Sequence, residues 1–507
     1  MEKDILIERV NATTLKLYTE DQGIIEDLYQ EYIYSEPTFS KNKYTKWDGV
    51  VRMFNKSKHT LPYGLLHNFL KLAKTRQWKL GLDDNFKDDI YKISSEKLQE
   101  WVDNLDIHDE KGNSIIPYDY QVEGLHHAII MGRCIELLAT SAGKSLLIAM
   151  LARFYYEFLF KTEEDKILIV VPSVMLVNQL NNDFANYFST TWETSKLVHT
   201  IYEGQRKHTA KPIVITTYQS MIEITKNDPE YFEQFTHVIQ DEVHMASGKV
   251  IGTILDLCVN AYRRVGLTGT LKTDKISPIQ IESHFGPVKR IVTTKELQNS
   301  GRAAKTEVTM FMLEYPKEQR RKVINMPYQE EIDFLINQPF RNKVIKSCAK
   351  ALKGNTLILF DRVEAHLKKI VEELNTEENT NKVYLAIHGS VKQSDRNIIK
   401  KATEENTDIV LFATFGTMST GVSIKRLHNL VVAHPTKSII RVLQSLGRII
   451  RLHESKDIAR IYTIVDDCRL YEKENASYRH GAEQYKFYQQ DEHPVTIKKY
   501  SVPEITK

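Results

Sequence analysis

The sequence predicts an α/β chain: two tandem open sheets of parallel strands, preceded by a small α+β module. Two observations carry the expectation for the sheets. Apolar runs of strand length alternate with helical periodicities in two blocks, one opening at 134–138 and the other at 355–360. Most of these runs pass into loops of small, hydroxyl-bearing or acidic residues, as strands do at the loop-bearing edge of a parallel sheet. The third observation concerns residues 1 to about 90, where strand and helix signals are short and do not alternate regularly.

At 507 residues the chain is too long for one ordinary core, so about three or four domains are expected. Hydrophobic content of 42% and charged content of 27% are those of a soluble globular protein. A net charge of +3 is too small to argue nucleic-acid binding from the total, so such binding would have to come from local patches. The four cysteines, Cys134, Cys258, Cys348 and Cys468, are far apart and form no metal-type pair. Free thiols in a reducing, cytoplasmic compartment are the simple expectation. The start Met1-Glu2-Lys3-Asp4 is charged and leads into too short an apolar run for a signal peptide. The most apolar run, 167–171, cannot span a bilayer, so no membrane partner is expected.

Ile5-Leu6-Ile7 and Leu15-Lys16-Leu17-Tyr18 read as strands; Ile24, Leu28 and Tyr32 recur at helical spacing, as do Leu65, Phe69, Leu72 and Ala73. Asp48-Gly49 between apolar or aromatic runs predicts a hairpin. Lys41, Lys43, Lys46, Arg52, Lys56 and Lys58 crowd it, opposed only by Asp48. Two readings stand. Lys43, Lys46, Arg52 and Lys56 contact nucleic-acid phosphates while Trp47 or Tyr44 stacks on a base, or the aromatics are a small core and the lysines its solvated face. Residues 94–116 read as a connector, with Ser94 or Ser95 capping a helix that carries Leu98, Trp101 and Leu105.

The run Cys134-Ile135-Glu136-Leu137-Leu138 reads as a buried strand. Ala139-Thr140-Ser141-Ala142-Gly143-Lys144-Ser145 follows, and a helical pattern leads out. Strand, small-residue loop, Gly-Lys-Ser and helix form the phosphate cradle of a P-loop. Thr140, Ser141, Ala142 and Gly143 supply backbone N–H groups, Lys144 reaches the β- and γ-phosphates of ATP, and the Ser145 hydroxyl meets Mg²⁺. Leu138 replaces the first glycine of the general pattern, and Ser141 occupies a position that is often glycine. One helix earlier, Tyr118-Asp119-Tyr120-Gln121 offers Gln121 for an adenine edge and an aromatic ring for its face. Gln121 is otherwise a surface residue.

Downstream strand runs at 167–171 and 213–217 end in Pro172-Ser173 and Thr217-Tyr218-Gln219-Ser220. Pro172, Ser173 and Thr217 suit phosphate-backbone contacts, helix caps, or both. Val238-Ile239-Gln240-Asp241-Glu242-Val243-His244 places adjacent carboxylates after a strand. Asp241 is assigned to Mg²⁺ and Glu242 to the attacking water. Leu267-Thr268-Gly269-Thr270 ends another strand, and Thr268 and Thr270 can couple hydrolysis to the nucleic-acid path or simply form a turn.

The second block runs through 355–360, 383–387, 409–414 and 430–433. Gln444-Ser445-Leu446-Gly447-Arg448-Ile449-Ile450-Arg451 sets two arginines three apart, on one helical face. Arg448 and Arg451 suit contact with a γ-phosphate developing charge. On a second domain they would couple domain closure to hydrolysis, a contribution on the order of 10³–10⁵ in rate where measured. After Asp466-Asp467 the pattern decays; 482–488 reads as an aromatic-rich helix, followed by an open tail. The expected divisions are 1–100, 101–300, 301–475 and a C-terminal tail, 476–507.

This ordered series resembles that of superfamily 2 helicases and translocases, over about 120–465. Gln-x-x-Gly-Arg-x-x-Arg and Asp-Glu-x-His are nearer the XPB, RecG and restriction-translocase side than the DEAD-box RNA helicases. Lys46-Trp47-Asp48-Gly49, Leu61-Pro62-Tyr63-Gly64-Leu65 and Thr140-Ser141-Ala142-Gly143-Lys144-Ser145-Leu146 extend the resemblance to phage recombination helicases over nearly the whole chain. The resemblance implies two tandem RecA-like domains behind a small α+β DNA-binding domain. It also implies ATP-dependent, Mg²⁺-assisted unwinding and branch migration of branched or partly single-stranded DNA: Holliday junctions, stalled forks and R-loops with their RNA–DNA hybrid. It places Pro172, Ser173, Thr217 and Thr414 on the DNA backbone, and Thr268, Thr270, Gly421 and Gln444 in coupling. Ser423 departs from the Asp or Asn of many relatives. A monomer in the cytoplasm, the host's if the protein is a phage's, is expected. The competing readings are the duplex-translocating motor of a restriction-type system, an RNA helicase, and a DNA-binding scaffold without ATP turnover. The motor reading would call for a nuclease motif, which is not recognised here. The RNA reading is disfavoured by the arginine motif, and the scaffold reading by Lys144, Asp241, Glu242, Arg448 and Arg451 together.

Overall fold

In the computed structural model, twenty strands among the described residues form three larger sheets and one two-stranded ribbon. The structure describes residues 3–35, 48–89, 91–202, 205–271, 276–376, 382–419, 424–436, 447 and 449–504. It divides into two compact units, Met1–Val292 and Thr293–Lys507.

The first unit opens with β1 (Ile5–Arg9), β2 (Thr14–Tyr18), β3 (Ile33–Ser35), β4 (Val50–Arg52), β5 (Thr60–Pro62) and β6 (Leu80–Leu82). Four of them form a sheet ordered β5-β2-β1-β6. Asp21 accepts from Gly23 N at 2.7 Å and caps the helix Gln22–Glu31, whose Ile24, Ile25 and Leu28 pack on Ile5, Ile7, Leu15 and Leu17. The first arm of the hairpin expected at Asp48-Gly49 lies outside the described residues. Its second arm, β4, pairs antiparallel with β3, Val50 opposite Ser35, and Gly49 (φ +78°) precedes it. The next helix, Leu66–Arg76, buries Phe69 and Ala73 as its spacing requires.

The expected division at residue 100 does not mark a seam in the packing. Ile279, on the helix Ser277–Phe285, belongs to the same apolar cluster as Ile5 and Phe69. Arg133 donates to Ala12 O and to His284 O (2.7 Å), with its guanidinium 4.5 Å from the Tyr63 ring centre. At Gly64 a Cβ would lie 2.1 Å from the Glu282 carbonyl, so only glycine permits that approach. The small module and the first large sheet are therefore one compact unit, which ends at Val292 and not at residue 300. The connector behaves as read: Ser94 Oγ accepts from Lys97 N and caps the helix Ser95–Asp103.

That large sheet contains β7 (Arg133–Leu138), β8 (Lys166–Val171), β9 (Val198–Ile201), β10 (Ile213–Thr217), β11 (Phe235–Asp241), β12 (Arg263–Thr268) and β13 (Val288–Val292). Its order is β13-β7-β12-β11-β8-β10-β9, all parallel. β7 is buried along its whole length, which explains why Cys134, Ile135, Leu137 and Leu138 are apolar, with Glu136 the buried exception among them. Parallel pairing brings the C-terminal ends of β7, β8, β10, β11 and β12 to one edge, and every motif of the first block lies there.

The second unit repeats the architecture with β14 (Lys305–Glu314), β15 (Thr356–Phe360), β16 (Val383–Ile387), β17 (Ile409–Thr414), β18 (Asn429–Val432), β19 (Ile458–Asp467) and β20 (Val495–Ser501). The order is β16-β17-β15-β18-β19-β14-β20, again all parallel. The C-terminal stretch is a correction: it is no open tail. A helix, Ala476–Gln490, packs on β19, and β20 adds an edge strand beside β14. Glu331 starts that helix from elsewhere in the chain, its carboxylate accepting from Ala476 N (2.9 Å) and Ser477 N (2.8 Å).

Beneath it lies a fully buried ion pair. Arg341 Nε donates to both Asp466 oxygens at 3.1 Å, and Tyr315 Oη (2.9 Å) and Ser477 Oγ (3.1 Å) donate to the same carboxylate. Asp466→Ala would leave the guanidinium buried without its carboxylate, and a loss of about 3–5 kcal/mol is expected. A denaturant midpoint for the second unit that stays at the wild-type value would refute the role.

Candidate functional site

The site is built at the C-terminal edge of the first large sheet. β7 ends at Leu138, and the loop turns through Ser141 (φ +73°) and Gly143 (φ +77°) before the helix Lys144–Phe154. Both positions are left-handed, which glycine tolerates best and which explains why Ser141 stands where glycine is common. The buried Gln121 holds the loop from behind. Its Nε2 donates to Ala142 O (3.0 Å) and Gly143 O (3.3 Å), and its Oε1 accepts from Tyr118 N (2.8 Å). Tyr120 Oη also donates to Ala142 O, at 3.1 Å. In this arrangement Gln121 is a buried clasp on the phosphate loop, not the surface residue its sequence position allowed. The Tyr118 ring stacks on Tyr120 at 5.6 Å and stays half exposed.

Lys144 Nζ lies 3.4 Å from Glu242 Oε1. Glu242 follows β11 at a left-handed position (φ +50°), a strained conformation for a residue with a side chain. Its other oxygen lies 3.2 Å from His244 Nδ1 and 3.1 Å from Thr268 Oγ1, and Thr268 Oγ1 lies 3.0 Å from His244 Nδ1. Thr268 Oγ1 also accepts from Thr270 N at 3.3 Å. The loops after β7, β11 and β12 thus meet in one network of Lys144, Glu242, His244, Thr268 and Thr270. Asp241 turns back, its Oδ1 accepting from Glu242 N at 2.9 Å.

The paired carboxylates differ in charge preference. Burial and the neighbouring charge of Glu242 push Asp241 above the usual carboxylate range. Burial acts on Glu242 too, but Lys144, His244 and Thr268 outweigh it and hold Glu242 below that range. Glu242 is therefore the member that stays ionised. Asp183, on the helix Val174–Tyr187, is a residue that sequence reading missed. Burial pushes it up to about 6, opposed by hydrogen bonds from Ser145 and Gln179. No sequence pattern marks it, because only the packing of that helix brings it to the P-loop serine.

The expected DNA-backbone residues sit at loop ends and act as caps. Ser173 Oγ accepts from Leu176 N (3.4 Å), Thr217 Oγ1 from Ser220 N (3.3 Å) and Thr414 Oγ1 from Thr417 N (3.3 Å). Pro172 lies between β8 and that first cap. Thr217 is 2% exposed, and its hydroxyl serves the helix that follows. In the N-terminal module, Arg52 pairs with Asp48 (2.8 Å) and Lys56 with Glu26, an opposing acid that the local sequence did not reveal. Lys43, Lys46 and Trp47 lie outside the described residues, as do Gly421, Gln444 and Arg448. Arg451 is described and partly exposed, and desolvation lowers its pKa. Beside it, Lys456 is a second unforeseen residue: its ammonium donates to Lys425 O (3.0 Å), Leu427 O (2.8 Å) and Ile449 O (2.5 Å), holding the start of the 449–451 segment. Among the described residues no helix is long and apolar enough to cross a membrane.

Comparison with known proteins agrees with this geometry. The family described as "Type III restriction enzyme, res subunit" matches residues 114–273, and "Helicase conserved C-terminal domain" matches 341–453. The ATP-dependent DNA helicase uvsW of Enterobacteria phage T4 is 34% identical over 430 residues, 84% of this chain and 82% of that protein. The crystal structure of T4 UvsW is similar over 98% of this chain and 99% of that one, at 28% identity and a TM-score of 0.51. The ATP-dependent Type ISP restriction-modification enzyme LlaBIII, solved bound to DNA, shares the fold over 79% of this chain and 32% of its own, at 15% identity and a TM-score of 0.55. With two RecA-like parallel sheets, a P-loop joined to an acidic pair, and this relative over most of its length, the chain belongs to the UvsW family of superfamily 2 helicases and is an ATP-dependent DNA helicase.

Proposed function

We propose that this helicase unwinds and branch-migrates branched DNA: Holliday junctions, stalled forks and R-loops. The observation that supports this reading best is the extent of the similarity. It takes in the N-terminal module, at 98% of the chain, as well as the two motor sheets. The module shares its core with the first motor sheet, so a DNA contact there would be held rigidly against the ATPase. Lys43, Lys46, Trp47, Arg52 and Lys56 are proposed for that contact, and Pro172, Ser173 and Thr414 for the strand path. At Thr217 the contact would be made by backbone.

In the ATP site, the backbone of 140–143 is proposed to wrap the phosphates over the Gln121 clasp, with Lys144 at the β- and γ-phosphates. The donor set fits Mg²⁺, since the Ser145 hydroxyl and Asp241 carboxylate are hard oxygens beside an ionised Glu242. Bound there, Mg²⁺ would neutralise phosphate charge. Glu242, fixed by Lys144, His244 and Thr268, is proposed to orient the attacking water. Thr268 and Thr270, already in the Glu242 network, are proposed to pass its state onward, together with Gly421 and Gln444. Arg448 and Arg451 are proposed to stabilise charge on the γ-phosphate. The working form is proposed to be a monomer in the host cytoplasm.

The family match over 114–273 favours a second reading, the duplex-translocating motor of a restriction-type system. Steady-state ATPase activity separates the two, with Lys144→Ala as the blank and matched single-stranded, duplex, four-way-junction and RNA–DNA hybrid substrates. Preference for the junction or hybrid is the expected result. Equal stimulation by plain duplex would overturn the branched-DNA reading in favour of the motor.

A further inference from the structure

β7 carries a second cluster that the ATPase chemistry does not use. Cys134 and Glu136 stand two apart, on one face of that strand, and both are fully buried. The helix Asp119–Met131 crosses this face and brings in His127. It comes close because residue 124 is glycine: a Cβ there would lie 3.2 Å from Glu136 Oε2. His127 Nδ1 lies 3.0 Å from Glu136 Oε1, while Glu136 Oε2, wholly buried, has no hydrogen-bond partner among the described residues. One nitrogen, one sulfur and one carboxylate oxygen from these residues all lie within 4.8 Å of one another.

We propose that His127, Cys134 and Glu136 form a binding site for a zinc-class divalent cation, set behind the P-loop and separate from the Mg²⁺ position. The donor set decides the class. Imidazole, thiolate and a single carboxylate suit a borderline-soft tetrahedral ion, whereas Mg²⁺ and Ca²⁺ take oxygen shells. Three protein ligands leave one position for water. A carboxylate buried in an apolar strand with an unpaired oxygen is costly, and a cation at that oxygen would offset the cost. Binding would replace the His127–Glu136 contact and release the Cys134 thiol proton to solvent. The half-buried His127 lies on the side open to an entering ion. The ion would tie β7, which ends in the P-loop, to the helix whose Gln121 clasps that loop.

This inference stands apart from the branched-DNA reading, and so does its test. The full-length chain, stripped with chelator, is titrated with Co²⁺ in excess Mg²⁺ so that oxygen sites are filled. Uptake of one equivalent is expected, with tetrahedral d–d bands and a thiolate-to-cobalt charge-transfer band, and Zn²⁺ should displace it and raise the melting temperature. Cys134→Ser should abolish the charge-transfer band. Glu136→Gln should weaken binding by more than the roughly 10- to 100-fold typical of losing an outer-shell partner. If Cys134→Ser does not fold, His127→Ala, altered on the half-buried helix, serves instead and should lose affinity to the same degree. Failure of the wild type to take up one equivalent would overturn the site, as would a charge-transfer band unchanged in Cys134→Ser or an affinity unchanged in His127→Ala.

Discussion

Glu242→Gln is expected to cut DNA-stimulated ATP hydrolysis by about 10²–10⁴-fold while nucleotide binding persists. Glutamine keeps the shape and can still meet Lys144 and Thr268, but it cannot accept a proton from water. Glu242 is the carboxylate suited to that work, because the ammonium 3.4 Å away and the His244 and Thr268 contacts keep it ionised despite its burial. Single-turnover hydrolysis with a parallel binding titration checks the expectation. Turnover near the wild-type rate would remove Glu242 from the role of orienting water. Thr268→Ala leaves the carboxylate in place and loosens only its orientation, so it should lose less than Glu242→Gln.

The second large effect is acid sensitivity confined to the second unit. Burial lowers His366 to about 2, His434 to about 3 and His493 to about 4, with Arg341 adding repulsion at the first two and Lys295 at the third. All three are neutral in the fold, and each takes up a proton near pH 6.5 on unfolding. The unfolded chain therefore binds more protons between these values, and stability falls as pH falls. Their contribution is complete above about pH 6.5 and is lost at about 1.4 kcal/mol per pH unit per histidine between roughly pH 6 and 4. The first unit has His237 and His284, both lowered to about 3 by burial. There the raised carboxyls of Asp183 and Asp241 act with the opposite sign over the same window and largely cancel the histidines. The four tryptophans, Trp47, Trp78, Trp101 and Trp192, all precede residue 293, so none belongs to the second unit. On acidification from pH 7 to 4.5, loss of helical circular dichroism should precede any change in tryptophan fluorescence. Simultaneous loss, or fluorescence changing first, would refute the assignment.

Much of this protein was determined by the sequence alone. Strands buried on both faces are mostly apolar, so the runs before Ala139, Pro172, Thr217, Asp241 and Thr414, alternating with helical patterns, marked a parallel sheet. A P-loop is local, because one strand, one loop and one helix start build it, and the structure sets Lys144 at that helix start. Caps are local too, which is why Ser94, Ser173, Thr217 and Thr414 fit capping positions.

What only the tertiary structure decided depends on residues far apart in the chain. Residues 476–501 looked like a tail because their helix is started by Glu331 and their strand by pairing with β14, and neither partner is near in sequence. Val50–Arg52 pairs with Ile33–Ser35, a partner that the turn signal at Asp48-Gly49 does not reveal. Gln121 became a clasp, and Asp183 the neighbour of Ser145, through helix packing. The four cysteines suggested no metal-type pair. Cys134 acquires His127 and Glu136 only because a helix, thinned at Gly124, lies against β7. Local periodicity specifies which face of an element is apolar, but not which distant polar group that face will meet when it is buried.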